Sequence, residues 1–198
     1  VSPKAPLLPG LAFGGGHLAR DMKVLLHLGE RTGYEAPLIK GILRGNEQQN
    51  KIVIDKLKKL HKSLKGLTVG LLGLTYKPGT STLHRSAALD ILLMLVSEGS
   101  VVKAYDPKAD PKEVEPYLKY LTVCRDPYSV AQESDALVII TAWPEFKELD
   151  FSKIQASMKN PILLDAPNML DADLMSQTGF IYQGVGRSRR LETSGDTK

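Results

Sequence analysis

A lysine lies in the turn that follows one of the most apolar segments of the chain. Residues 70–80 read GLLGLTYKPGT, and the lysine is Lys77. Residues 68–74 form a continuous apolar run, which is typical of a parallel strand buried on both faces. Open α/β sheets bind ligands at the carboxyl ends of such strands. An ammonium group there favours an anion, so the sequence predicts a phosphate-bearing ligand.

The same turn lacks the glycines that a dinucleotide needs. A dinucleotide-binding turn reads G-x-G-x-x-G, which lets the backbone lie against a pyrophosphate. Counting from Gly73, Thr75 and Pro78 occupy the second and third glycine positions. Asp106 lies farther along the chain than the acid that usually binds an adenosine ribose, and an Asp-Pro pair more often starts a turn. The predicted ligand is therefore not NAD.

Composition restricts the class of protein. The 198 residues are 42% hydrophobic and 24% charged, with a net charge of +4, which is ordinary for a globular protein. Basic and acidic residues are interleaved, and no basic motif with aromatics is present, so we expect no nucleic-acid partner. No apolar run approaches the ~20 residues of a membrane span, and no signal peptide is visible, so we expect no membrane association.

Cysteine and histidine usage gives no sign of a metal site. Cys124 is the single cysteine, which excludes an internal disulfide and a cysteine-rich metal centre and fits a cytoplasmic location. We interpret Cys124, in a short apolar run, as a buried structural residue. The four histidines show no metal-ligand spacing, so we predict no metal.

The pattern of apolar residues predicts two kinds of structure. Residues 1–66 read as a Pro- and Gly-rich loop followed by helices at 18–31 and 36–64. A polar stretch at 44–50 interrupts the second helix and faces either solvent or a ligand, and we favour solvent. Six strands are predicted beyond residue 66, with helices between them: 68–74, 101–106, 121–124, 136–142, 161–165 and 180–184.

Alternating strands and helices favour an α/β fold. We predict a Rossmann-like, doubly wound, mostly parallel six-stranded sheet in the order 3-2-1-4-5-6, preceded by the helical segment. The predicted units are 1–66, which is loop plus helices, 67–187, which is the Rossmann-like domain, and a disordered tail at 188–198. A ligand cleft is expected at the carboxyl ends of the first and fourth strands, where the strand order reverses, lined by Lys77.

Five segments, in order, resemble the nucleotide-sugar dehydrogenases of the UDP-glucose and GDP-mannose type. Nearly the whole chain is covered, from about residue 9 to 187. The segments are PGLAFGGGHLARD at 9–21, YKP at 76–78, AYDP at 104–107, VIITAWPEF at 138–146 and the glycine–arginine pair at 186–187.

The resemblance implies a division of labour. In this family an N-terminal Rossmann domain binds NAD, a central helical region forms the dimer, and a C-terminal Rossmann-like domain holds the nucleotide of the sugar. We therefore expect this chain to be the C-terminal, UDP-sugar-binding portion of an NAD-dependent oxidoreductase acting on a CH–OH group. NAD would be bound by a missing N-terminal domain, the fragment alone would be inactive, and the parent would be a homodimer.

Three departures from the family pattern accompany these matches. The resemblance places His17 where the family has its catalytic cysteine, and imidazole cannot form the thioester of that reaction. His17 is then either a polar loop residue or a base or donor toward the sugar. Asp21 matches the aspartate that assists thioester hydrolysis, or it favours a helix N-terminus. His84 and Pro167 stand where the family has arginines.

The remaining expected substrate contacts are in the glycine-containing loop and the YKP turn. They are Phe13, Gly14, Gly15, Gly16, Lys77 and Arg85, where Arg85 is the neighbour of a lost arginine. The alternative function is a non-catalytic nucleotide-sugar-binding or assembly domain of a degenerate family member. The absent cysteine and arginines favour that alternative, and the fold motifs fit both.

Overall fold

Six short strands form one sheet in which every neighbouring pair is parallel. The structure, a computed structural model, describes residues 10–186. The sheet order is β3-β2-β1-β4-β5-β6, which confirms the predicted fold class and strand order. The strands are β1 (Thr68–Leu72), β2 (Val101–Tyr105), β3 (Thr122–Val123), β4 (Ala136–Ile139), β5 (Ile162–Asp165) and β6 (Ile181–Gly184).

Seven α-helices are found among residues 10–186, and two of them precede the sheet. They are α1 (Leu18–Arg31), α2 (Pro37–His61), α3 (Ala87–Ser97), α4 (Pro111–Val114), α5 (Pro127–Ala131), α6 (Phe151–Ser157) and α7 (Ala172–Gln177). Short 3₁₀ segments at Glu115–Tyr117 and Pro144–Glu148 complete the regular structure. None of the helices in this described part is long and apolar enough to cross a bilayer.

The core has two layers, one on each face of the sheet. Apolar side chains of α2 and α3, such as Leu57 and Leu92, pack on one face. Side chains from α5, α6 and the 3₁₀ segment after β4, such as Val130, Ile154 and Phe146, pack on the other. Every residue of β4 and β5 is buried, because a central parallel strand is covered on both sides. Each face is thus closed by its own helices, as in a doubly wound fold.

Strand order reverses at β1. The chain passes from β1 to β2 and β3 on one side of the sheet, then returns to β4 on the other side of β1. The loops after β1 and β4 consequently diverge from two neighbouring strands. Such a switch point leaves a crevice beyond the carboxyl ends of the strands.

Three details differ from the sequence prediction. Helix α2 ends at His61 instead of residue 64, although Leu64 is buried in the loop that follows. Strand β3 is only two residues long at the edge of the sheet. Cys124, predicted to be buried, is only half-buried beside this edge, because no strand of residues 10–186 lies beyond β3 to cover it. The predicted tail at 188–198 and Arg187 lie outside the described residues.

Candidate functional site

A cleft of about 810 Å³ lies at the switch point. Its walls are formed by the loops that follow β1, β4 and β5, together with the segment before α1. This strand-end cleft is lined by Gly10, Leu11, Ala12, Thr75, Tyr76, Lys77, Pro78, Ser86, Ala87, Ile140, Thr141, Ala142, Pro144, Lys147, Pro167, Asn168 and Met169. The volume is within the ~300–1,000 Å³ of small-molecule sites.

The floor of the cleft is a turn fixed by one carboxylate. Asp106 Oδ2, just after β2, accepts hydrogen bonds from the backbone N–H groups of Leu74 (2.8 Å) and Thr75 (2.9 Å). The Thr75 hydroxyl donates to the same oxygen at 2.9 Å. Asp106 Oδ1 accepts from the Lys108 N–H at 2.9 Å, which is the turn that the Asp-Pro pair predicts. The hydrogen bonds by which Asp106 Oδ2 holds the turn after β1 were not predicted from the sequence.

The loop after β4 closes on the same turn. The buried Trp143 indole N–H lies 3.1 Å from Asp106 Oδ2 and 3.2 Å from Thr75 Oγ1. The Thr141 hydroxyl donates to the Thr75 carbonyl at 2.6 Å. Gly73 has a φ of +96°, and a Cβ there would lie 2.4 Å from the Thr141 Cβ. The turn and the β4 loop therefore require glycine at position 73 for close packing.

These contacts test whether the turn can receive NAD. In a dinucleotide site the backbone N–H groups of the turn point at the pyrophosphate. Here those of Leu74 and Thr75 are bonded to the Asp106 carboxylate, and an anion already occupies the position. The residues after β1 do not fit NAD.

Two lysines line the cleft. Lys77 follows β1 and Lys147 follows β4, and none of the lining residues is acidic. Within residues 10–186 neither lysine forms an ion pair, and the Lys77 ammonium contacts only the Tyr76 ring, 5.6 Å from its centroid. The cleft thus has a net positive lining, which suits a phosphate ligand.

The glycine-containing loop reaches this site through Tyr76. A Cβ on Gly15 would lie 2.7 Å from Tyr76 Cε2, and one on Gly14 would lie 2.3 Å from the Arg85 carbonyl oxygen. The Gly15 N–H donates to the His84 carbonyl at 3.1 Å. Residues 10–12 line the cleft, whereas Phe13, Gly14, Gly15 and Gly16 do not. The glycines let the loop pack behind a wall of the cleft.

The other predicted residues lie outside the cleft. His17 is exposed immediately before α1, and its side chain makes no capping hydrogen bond to the helix. Asp21, in the first turn of α1, forms an exposed ion pair with its neighbour Arg20 at 3.0 Å. Arg85 is exposed with a φ of +53°, and its Nη1 lies 3.5 Å from the Gly16 carbonyl oxygen. Of the six predicted substrate contacts, only Lys77 lines the strand-end cleft.

The polar stretch at 44–50 contains two structural contacts that the sequence interpretation missed. Asn46 Oδ1 accepts from the Phe13 N–H at 2.8 Å, and its Nδ2 donates to the Phe13 carbonyl at 3.1 Å. Asn50 is buried, donates to Asp90 Oδ2 at 2.9 Å and joins α2 to α3. Burial raises the Asp90 pKa above its usual value. The solvent-facing interpretation was wrong for both asparagines, because their partners lie on other segments of the chain.

Asn168 joins two loops at the third wall of the cleft. It lines the cleft after β5, and its side-chain amide forms two hydrogen bonds with the backbone of Val185, at 2.8 and 3.1 Å. Its neighbour Pro167 also lines the cleft. No group of three or more His, Cys, Asp or Glu side chains suited to a metal is found in the described part of the chain.

The fold and the site together define a Rossmann-like domain with an anion-favouring cleft and a turn unsuited to NAD. Residues 70–172 match the family described as UDP-glucose/GDP-mannose dehydrogenase, UDP binding domain. The chain therefore belongs to this family and contains its UDP-binding domain.

Individual relatives are similar to nearly the whole chain. UDP-glucose 6-dehydrogenase TuaD of Bacillus subtilis is 36% identical over 181 residues, covering 91% of this chain and 39% of the relative. A UDP-glucose dehydrogenase structure from Pyrobaculum islandicum is 27% identical with a TM-score of 0.77, covering 90% of this chain and 39% of that one. A UDP-D-ManNAc dehydrogenase structure from Pyrococcus horikoshii is 28% identical with a TM-score of 0.73, covering 90% and 40%. The chain spans about 40% of the length of these relatives.

Proposed function

We propose that this chain binds the nucleotide of a UDP-sugar in the strand-end cleft. The observation that carries the proposal is the cleft lining, which has two lysines and no acid. The family match, to a UDP-binding domain, supports uridine as the base. The volume of about 810 Å³ suits a ligand of nucleotide-sugar size.

The proposed activity of the whole protein is NAD-dependent oxidation of a UDP-sugar. The relatives named as UDP-glucose 6-dehydrogenases support it. The residues of this chain supply the nucleotide-sugar site and not the NAD site, because the turn after β1 is occupied by Asp106. A dinucleotide-binding unit other than these residues is needed for oxidation.

The loss of a thiol at position 17 supports an alternative, a non-catalytic binding or assembly role. His17 is exposed and does not line the cleft, and Cys124 follows β3 at the edge of the sheet. We propose that these 198 residues alone do not oxidise nucleotide sugars. Incubation with UDP-glucose and NAD is expected to produce no NADH, and steady turnover above a blank would contradict this.

Calorimetry with UDP and NAD tests the binding proposal. We expect UDP to bind and NAD not to bind. Replacing Lys77 by Ala removes a charge-assisted contact to phosphate and should weaken UDP by about tenfold, while Lys77→Arg retains most of the affinity. Added salt should weaken UDP through screening. NAD binding more tightly than UDP would overturn the interpretation of the Gly73 turn. Absence of UDP binding would leave assembly as the remaining function.

Helices α1 and α2 supply support for a homodimer. Their outer faces expose apolar side chains, among them Leu25 (52% exposed) and Leu38 (76% exposed). Exposed apolar patches of this kind mark interaction sites. We propose that a second copy covers this face. Light scattering should give a dimer mass, and Leu25→Glu combined with Leu38→Glu should give a monomer. We also infer a cytoplasmic location, supported by the single cysteine.

A further inference from the structure

Lys147 is an unpartnered cation at the cleft that the motif analysis did not select. It is exposed, and within the described chain it has no hydrogen-bond or ion-pair partner for its ammonium. It lines the strand-end cleft from the loop after β4, while Lys77 lines it from the loop after β1. Because β1 and β4 are paired neighbours, the two lysines line one space from two loops.

The backbone that carries Lys147 is held firmly. Its 3₁₀ segment, Pro144–Glu148, is anchored by one buried residue before it and one within it. Trp143 is 2% exposed and bonded to Asp106 and Thr75, and Phe146 is 1% exposed and packs against Tyr105. A flexible lysine on a fixed segment can reach an anion in the cleft without movement of the backbone.

Two cavities border Lys147, and only the strand-end cleft has no acidic residue in its lining. The other is a smaller cavity of about 400 Å³, whose lining residues include Lys147, Asp150 and Asp171. These two acids cap α6 and α7 by accepting from backbone N–H groups. Carboxylates repel phosphate, so the smaller cavity does not suit it, whereas the acid-free cleft does.

We propose that Lys147 is a phosphate-binding residue and that it neutralises the diphosphate of the nucleotide together with Lys77. This inference rests on the proposed function and names the residues that bind the diphosphate of the ligand. A nucleoside diphosphate carries negative charge on two phosphoryl groups, whereas a monophosphate carries it on one. Two separated lysines therefore favour a diphosphate over a monophosphate, and both over the free nucleoside.

Calorimetry on the full chain with UDP, UMP and uridine tests the assignment. The variants are Lys147→Ala, Lys147→Arg and the control Lys65→Ala. Lys65 is an exposed lysine just before β1, at the amino end of that strand, whereas the cleft is at the carboxyl ends. Its loss therefore changes the net charge equally without touching the cleft. We expect Lys147→Ala to weaken UDP by about tenfold and UMP by about threefold. Uridine should be unchanged, and Lys147→Arg should stay within about twofold of wild type.

The outcomes separate the two proposals. If wild type binds UDP and Lys147→Ala weakens it no more than Lys65→Ala does, the Lys147 assignment is wrong while the proposed function stands. An equal loss for UDP and uridine also overturns it, since the lysine would then act on the base or on the fold. If wild type does not bind UDP, both proposals fail.

Discussion

The turn after β1 contains a carboxylate with several hydrogen-bond donors, whereas the cleft beside it is lined by lysines without an acid. Only a few residues separate the two regions. In the turn, one carboxylate oxygen, Asp106 Oδ2, accepts hydrogen bonds from the N–H groups of Leu74 and Thr75 and from the Trp143 indole. In the cleft, the ammonium groups of Lys77 and Lys147 have no anionic partner among residues 10–186. The protein supplies the anion in the first region, and the lining of the second contains no acidic residue.

This difference indicates how one fold can bind a charged ligand either through backbone N–H groups or through side chains. A Rossmann turn with free N–H groups binds a pyrophosphate through the backbone. When a side-chain carboxylate takes those groups, the turn becomes a structural brace, and the charged ligand is bound by side chains nearby. The ligand class thus follows from which polar groups the fold leaves unpaired. Variants that disturb the brace should change stability, and variants of the cleft should change affinity.

Replacing Asp106 by Ala should have the largest effect. The buried Leu74 and Thr75 N–H groups would lose their acceptor, whereas the Trp143 indole would keep Thr75 Oγ1. Each unsatisfied buried donor costs about 1–3 kcal/mol. We expect the free energy of unfolding to fall by about 3 kcal/mol in urea denaturation. Asp106→Asn keeps one acceptor oxygen and should lose about half as much. A loss below about 0.5 kcal/mol for Asp106→Ala, the ordinary range of surface substitutions, would show that the carboxylate is not a brace.

Glycine 14 should give the next largest effect. A methyl group on Gly14 would collide with the Arg85 carbonyl at 2.3 Å, whereas nothing lies within 4 Å of one on Gly16. Overpacking of this kind costs about 2 kcal/mol. We expect Gly14→Ala to be destabilised by that amount and the matched control Gly16→Ala to unfold like wild type. Equal stability of the two variants would mean that the loop does not pack on Arg85 as described.

Removing the Asn46 side chain should change both the stability of the fold and the affinity of the cleft for UDP. Its two hydrogen bonds to Phe13 fix the loop whose residues 10–12 line the cleft. Asn46→Ala should lower the free energy of unfolding by about 1.5 kcal/mol. It should also weaken UDP by about threefold, because binding must then order the loop. Hydrogen exchange should rise in residues 10–16.

Gln48→Ala is the control for Asn46. Gln48 is exposed on the same helix, so its removal should change neither exchange nor affinity. If Asn46→Ala left the exchange of residues 10–16 at the wild-type level, the loop would not depend on α2.

The fold was predictable because its sequence signals are local. The Asp106 brace was not predictable, since its hydrogen bonds join residues that are distant in the sequence. Buried parallel strands such as β4 and β5 read as apolar runs, and strand–helix alternation then restricts the order of the sheet. Asp106 binds Leu74 across 32 residues, and Asn46 binds Phe13 across 33. No periodicity in the sequence reports such pairs.

The site prediction was limited in the same way. Lys77 was found because it follows a recognisable strand, whereas Lys147 lies in a 3₁₀ segment without a motif of its own. Phe13 and the glycines at 14–16 were selected as ligand contacts because glycine permits close approach. The approach that Gly14 and Gly15 permit is to Arg85 and Tyr76 of the same chain, and nothing lies within 4 Å of a methyl group on Gly16. A sequence indicates that a glycine is needed, but not which group comes near it.

Replacing Asp126, a carboxylate outside the cleft lining, should have the smallest effect. It caps α5, accepting from the Ser129 N–H and hydroxyl at 2.8 Å each. These hydrogen bonds hold the Asp126 pKa below its usual value. A lowered pKa means that the folded state favours the charged carboxylate. Its stabilisation is therefore complete above the unfolded pKa of about 3.9 and is lost as the pH falls through the folded pKa.

Asp126→Ala should lower the free energy of unfolding by about 1 kcal/mol at pH 7, as loss of an N-cap does. The difference from wild type should shrink below about pH 4, and UDP affinity should not change, because Asp126 does not line the cleft. A difference that grew on acidification would contradict the direction of the shift, and a loss of UDP affinity would mean that stability and binding are not separable as the two regions suggest.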